Sequence, residues 1–183
     1  DNEKGYLRGA QIILFNTELR HYQDDGVKLN RFDIVDITSL SKRNLFLDPL
    51  SWKVQVGFER VYSRGDDTGV FQLNGGAGHS YELSDNTELY GLLTGRLEYN
   101  EDFSSIIEPA IGGEAGFLYY SPIGAMKLDL GGYKFLNDDY RMKAAFNQNF
   151  NLAVDHAIRL SVAQEWHHDD DFYEVSVGYR YYF

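Results

Sequence analysis

Along most of the chain, apolar and polar residues alternate in long runs that are broken by short clusters of Gly, Asp, Asn and Ser. A period of two is the strand signature, because successive side chains of an extended backbone point to opposite faces. Read between turn signals, the runs predict about ten strands, near residues 6–22, 29–40, 50–63, 70–83, 87–100, 105–120, 124–136, 140–153, 156–168 and 172–183. The last run is the cleanest. It sends Tyr173, Val175, Val177, Tyr179, Tyr181 and Phe183 to one face and Glu174, Ser176, Gly178, Arg180 and Tyr182 to the other.

The same division continues upstream. One face carries Leu89, Leu93, Leu97, Tyr99, Ile107, Ile111, Phe117, Tyr119, Leu128 and Leu130, and the opposite face carries Lys53, Gln55, Glu59, Gln72, Asn74, Glu108, Glu114, Arg141, Lys143 and Glu165. Small residues crowd the polar face, as a narrow lumen requires, and aromatics gather at the ends of the apolar face, as in interfacial girdles. The predicted fold is therefore all-β: a transmembrane, antiparallel, up-and-down β-barrel of about ten strands with a filled polar lumen. A soluble lipocalin-like barrel would alternate as well, with the apolar face inside. Two irregularities fall early. Ile34, Val35, Asp36 and Ile37 break the period, which predicts a bulge near Val35, and Gln11 would fall in a lipid-facing row.

Composition fits this picture. The 183 residues suit a single domain over 1–183, and 14 Tyr, 12 Phe and 18 Gly stand against 3 Pro. No stretch approaches the roughly 20 apolar residues of a spanning helix, so insertion would have to be by strands. The chain has no Cys, which removes disulfides and cysteine nucleophiles. It shows no secretory leader, as expected of a mature chain or an excised domain.

Charge sets the expected orientation. The closing aromatics Tyr179, Tyr181 and Phe183 resemble the signal that the outer-membrane barrel-assembly machinery reads, which points to the outer membrane of a Gram-negative bacterium with both chain ends in the periplasm. The outer turns then hold Asp24, Asp25, Asp66, Asp67, Glu101, Asp102, Asp138, Asp139, Asp169, Asp170 and Asp171. Setting these eleven aside leaves seventeen acids against 17 Lys and Arg, so the net charge of −11 is a property of the rim. The remaining charges are balanced, and the lumen is expected to be closed by partnered side chains. The net charge excludes nucleic acid as a partner.

Asp24, Asp25, Asp66, Asp67, Asp138, Asp139, Asp169 and Asp170 are candidate ligands for calcium or magnesium, shared with lipopolysaccharide in one version, although acid pairs on short turns also serve turn geometry. No catalytic set, resident metal or cofactor is expected. His167 and His168 beside Asp169 to Asp171 suggest an omptin-like protease, but such barrels stand taller above the membrane. Ser39, Ser41 and His156 lack a nucleophile-elbow motif. A rim enzyme, either an omptin-like protease or a lipid-modifying enzyme, and a small channel remain the alternatives.

The longest connection, Ser39 to Trp52, falls on the periplasmic side, where links are normally short. Around it lie Gly5-Tyr-Leu-Arg-Gly-Ala-Gln-Ile12, Arg31-Phe-Asp-Ile-Val-Asp-Ile-Thr-Ser-Leu-Ser-Lys-Arg43, Pro49-Leu-Ser-Trp-Lys-Val54 and Leu73-Asn-Gly-Gly-Ala-Gly78. Together these resemble the C-terminal barrel of Gram-negative proteins related to the Lnb-type lipoprotein N-acyltransferases. The resemblance implies an upstream, cysteine-dependent periplasmic catalytic domain that is not part of these residues, with the barrel as its membrane anchor. Ser39, Leu40, Lys42, Arg43, Phe46, Pro49, Leu50 and Trp52 are the candidate docking residues for that domain. Alternatively the same link packs on itself, with Phe46, Leu47 and Leu50 plugging the mouth.

Overall fold

The computed structural model describes residues 10–22, 26–43, 49–63, 66–101, 106–153, 156–167 and 171–181. They form one sheet of ten long strands, β1 (Ala10–Tyr22), β2 (Gly26–Ser39), β4 (Ser51–Ser63), β5 (Asp66–Ser84), β6 (Thr87–Tyr99), β7 (Ile107–Ser121), β8 (Gly124–Phe135), β9 (Tyr140–Ala153), β10 (His156–His167) and β11 (Asp171–Tyr181), plus the two-residue β3 (Lys42–Arg43). The long strands pair antiparallel in chain order, and β3 pairs parallel with β5. Among the described residues β1 and β11 form no ladder with each other, so the sheet is a curled half-barrel. The end at which β1 begins and β11 finishes is called proximal below, and the other end distal.

The strands follow the alternation, with one difference at the distal rim. β5 begins at Asp66, so Asp66 and Asp67 pair with Ser63 and Tyr62 in the ladder instead of forming a turn. The expected bulge is present: the β2–β4 register shifts between Asp33 and Val35, so that Asp33 faces Gly57 and Asp36 faces Gln55 on the same inner side. Opposite it on β1, Phe15 takes φ 54°, and both Leu14 and Phe15 are exposed on the outer side. Gln11 pairs with Thr38.

Outside, the sheet is apolar. Leu73, Leu89, Leu93, Leu97, Ile111, Leu128, Leu130 and Val175 are exposed, with Leu93 at 68%. Phe71 and Tyr81 bound this band on β5; ten residues apart, they are separated by about 33 Å along the strand and about 25 Å across a membrane at the usual tilt. Inside, Gln55, Gln72, Asn74, Glu88, Thr94, Glu98, Glu108 and Asn149 are buried. An apolar exterior around a polar interior inverts the soluble barrel, and it defines a β-barrel membrane protein fold.

Curvature is tight because inward glycines admit neighbouring groups. A Cβ on Gly112 would lie 2.0 Å from the Gly132 carbonyl oxygen, and one on Gly116 would lie 2.4 Å from the Tyr90 ring. Side chains three strands apart therefore meet across the lumen.

Candidate functional site: the lumen and its proximal mouth

Three cross-lumen contacts stack along the barrel, each between strands three apart. Arg141 on β9 donates from Nη2 to Glu98 Oε2 on β6 at 3.0 Å. Tyr133 on β8 donates its hydroxyl to Asn74 Oδ1 on β5 at 2.9 Å. Lys53 on β4 pairs with Glu114 on β7. A narrow barrel places these inward chains within reach of one another, and buried charges persist only when partnered.

Glu98 is the hub of the distal network. Its carboxylate also accepts from Arg96 Nε at 2.6 Å, and Arg96 reaches Glu59 at 2.9 Å. Phe135 is buried beside this cluster, and the Arg141 guanidinium lies 4.7 Å from its ring centre. On neighbouring strands Arg31 pairs with Asp33 at 2.9 Å, Gln55 donates to Asp33, and Lys143 pairs with Glu165. Toward the proximal end, the Tyr90 hydroxyl lies between Asp129 and Glu114, while Lys127 pairs with Asp129 at 3.0 Å. Around Tyr90 an apolar patch joins the polar lining: Leu40, Tyr90, Leu92 and Leu118 form one buried cluster with Tyr120 against it, and Glu88 is buried on the same face.

Leu40 comes from the long link. The backbone leaves β2 and turns inward at Ser41, whose amide donates to Ser51 Oγ at 3.1 Å and whose carbonyl accepts from Ser80 Oγ at 3.1 Å. β3 then runs parallel to Ser80 and Tyr81 on the proximal extension of β5, in the place that β4 leaves open below Ser51. Among the described residues of the link, Leu40 is buried at 7% exposure, whereas Leu50 is 57% exposed. Phe46 and Leu47 lie outside the described residues. Leu40 was legible as a plug in one respect: it continues the inward parity of Asp36 and Thr38, an apolar residue on a polar face.

The other candidates are dispersed. Of the docking residues, Ser39 ends β2, Lys42 and Arg43 form β3, Pro49 is half-buried, and Leu50 and Trp52 are exposed at the proximal rim. Asp138 and Asp139 sit on the β8–β9 turn. Asp138 takes φ 72°, Asp139 Oδ1 accepts from the Tyr140 amide at 2.8 Å, and Asp138 approaches Lys134 at 3.4 Å. These contacts serve the turn. Asp24, Asp25, Asp169 and Asp170 lie outside the described residues, as do His168 and Phe183, while the backbone of Asp66 and Asp67 begins β5. His167 turns inward to Glu165 at 3.3 Å and stacks on Phe172. His156 pairs with the Tyr179 hydroxyl, and Tyr179 is exposed on the apolar side, with Tyr181 two residues on at the end of β11.

This architecture is similar to that of an anion-selective porin from Comamonas acidovorans, with a TM-score of 0.50 and 17% identity over 97% of this chain. The chain spans 57% of the porin's length, and the likeness is one of fold. By sequence, the chain belongs to a family described as a domain of unknown function (DUF7840), whose profile matches residues 1–182. No curated protein matches it.

Proposed function

We propose that the domain is a closed outer-membrane barrel of a Gram-negative bacterium that anchors and docks a periplasmic, acyltransferase-like catalytic domain of the same parent protein. The observation that carries this reading is the lumen itself, crossed by three side-chain contacts and plugged by Leu40 on a link folded into the proximal mouth. A lumen so filled suits an anchor better than a conduit. The proximal mouth faces the periplasm in this reading, and its exposed Leu50 and Trp52 offer contact area to the catalytic domain. Outer-membrane lipid and lipopolysaccharide cover the apolar belt, and the barrel-assembly machinery inserts it. The acyltransferase-like partner rests on the sequence resemblance around the Ser39 to Trp52 link. The barrel residues themselves are assigned no catalytic role.

Photo-crosslinking groups at Leu50 and Trp52 of the full-length protein are expected to capture its periplasmic domain. Equal capture from Leu93, in the middle of the lipid-facing belt, would refute docking at this mouth. A small channel is the second reading, favoured by the porin-like fold. Planar-bilayer recordings separate the two: the anchor gives no current steps, and steps from the unmodified protein would select the channel.

A further inference from the structure

One row of inward positions crosses β5, β6 and β7, where the ladders set Gln72 opposite Glu98 and Glu98 opposite Glu108. All three are buried, with exposures of 1%, 0% and 6%. Glu98 is held by Arg96 and Arg141. Glu108 makes no hydrogen bond or ion pair with a described residue, and neither Nε2 nor Oε1 of Gln72 has a partner. Carboxylates directly opposed on adjacent strands repel, and buried polar groups are normally satisfied.

The local charge is also unbalanced. Glu59, Glu98 and Glu108 face Arg96 and Arg141, one negative charge in excess, while nearby Arg31 and Lys143 are engaged by Asp33 and Glu165. We propose that a single monovalent hard cation of the sodium class binds at this row, taking Glu108, the Gln72 amide oxygen and the shared edge of Glu98 as oxygen donors. Hard cations take carboxylate and amide oxygens, and one positive charge restores neutrality where two would overshoot it. Phe135, 2% exposed on the neighbouring β8, pairs with Ala110, two residues from Glu108, and its ring lies against the Arg141 guanidinium.

The test compares the full-length protein, refolded in detergent, in sodium chloride and in choline chloride at equal concentration. Both salts screen the rim acids alike, but choline is too bulky for a filled lumen. The midpoint of the heat-induced change in electrophoretic mobility is expected several degrees higher in sodium. Glu108→Gln should abolish that difference, and Gln72→Leu, which keeps the carboxylate, should reduce it. Equal midpoints for the unmodified protein would overturn the proposal in favour of a protonated or water-bridged Glu108, and a sodium effect that survives Glu108→Gln would overturn it by placing the ion elsewhere. Should Glu108→Gln fail to refold, Gln72→Leu reads the same site.

Discussion

The two halves of the lumen are closed by different physics. The distal half is closed by charge: Glu98 shared between Arg96 and Arg141, with Glu59 behind it. The proximal half adds volume to its Lys53–Glu114 and Lys127–Asp129 pairs, with Leu40 seated among Tyr90, Leu92 and Leu118 at the mouth. A charged closure works only while every member keeps its partner, because the desolvation of each ion has already been incurred. An apolar closure degrades in proportion to the volume removed. The distal half should therefore fail abruptly and the proximal half by degrees.

The largest effect should follow Glu98→Ala, which strands the buried Arg141 guanidinium and leaves Arg96 with Glu59 alone. A loss of about 3–5 kcal/mol is expected in urea unfolding from detergent micelles. Replacing Glu98 and Arg141 together by leucine should recover much of that loss, since Arg96 keeps Glu59. A double variant as unstable as the single one would break the contrast. Leu40→Ala should lower stability by about 2–5 kcal/mol, and Leu40→Met by under about 1.5 kcal/mol. Equal effects of the two would mean that Leu40 does not fill the mouth. Gly116→Ala should cost about 1–3 kcal/mol, because its Cβ would meet the Tyr90 ring. Gly91→Ala is the control, with nothing within 4 Å of its Cβ, and should be close to neutral. The smallest effect belongs to the distal turn, where Asp138→Gly should change stability by less than about 0.5 kcal/mol, since glycine accepts the φ of 72°.

Much of this was legible in the residues. Period-two alternation placed ten strands and assigned Leu89, Leu93 and Leu97 outside and Gln72, Glu108 and Glu114 inside, because a pleated strand has only two faces. The break at Ile34 to Ile37 announced the bulge. Boundaries at the distal rim were less legible: Asp66 and Asp67 read as turn residues, yet their backbone extends β5. Strand pairing there is fixed by β4, and aspartate's turn preference is a weaker, local term. The candidate docking segment was legible by its length alone, and its path was not.

Sequence by itself determined which side chains face lipid and which face the lumen, because membrane and lumen select opposite polarities on alternate residues. Only the tertiary structure decided which inward residues meet. Lys53 and Glu114, Asn74 and Tyr133, and Glu98 and Arg141 are far apart in the chain, and curvature made possible by glycines such as Gly112 and Gly116 brings them together. The same curvature opened a space that Leu40 fills, and it left Glu108 opposite Glu98 with no partner among the described residues. Local alternation fixes the face of a residue; the radius of the curled wall fixes its neighbours across the lumen.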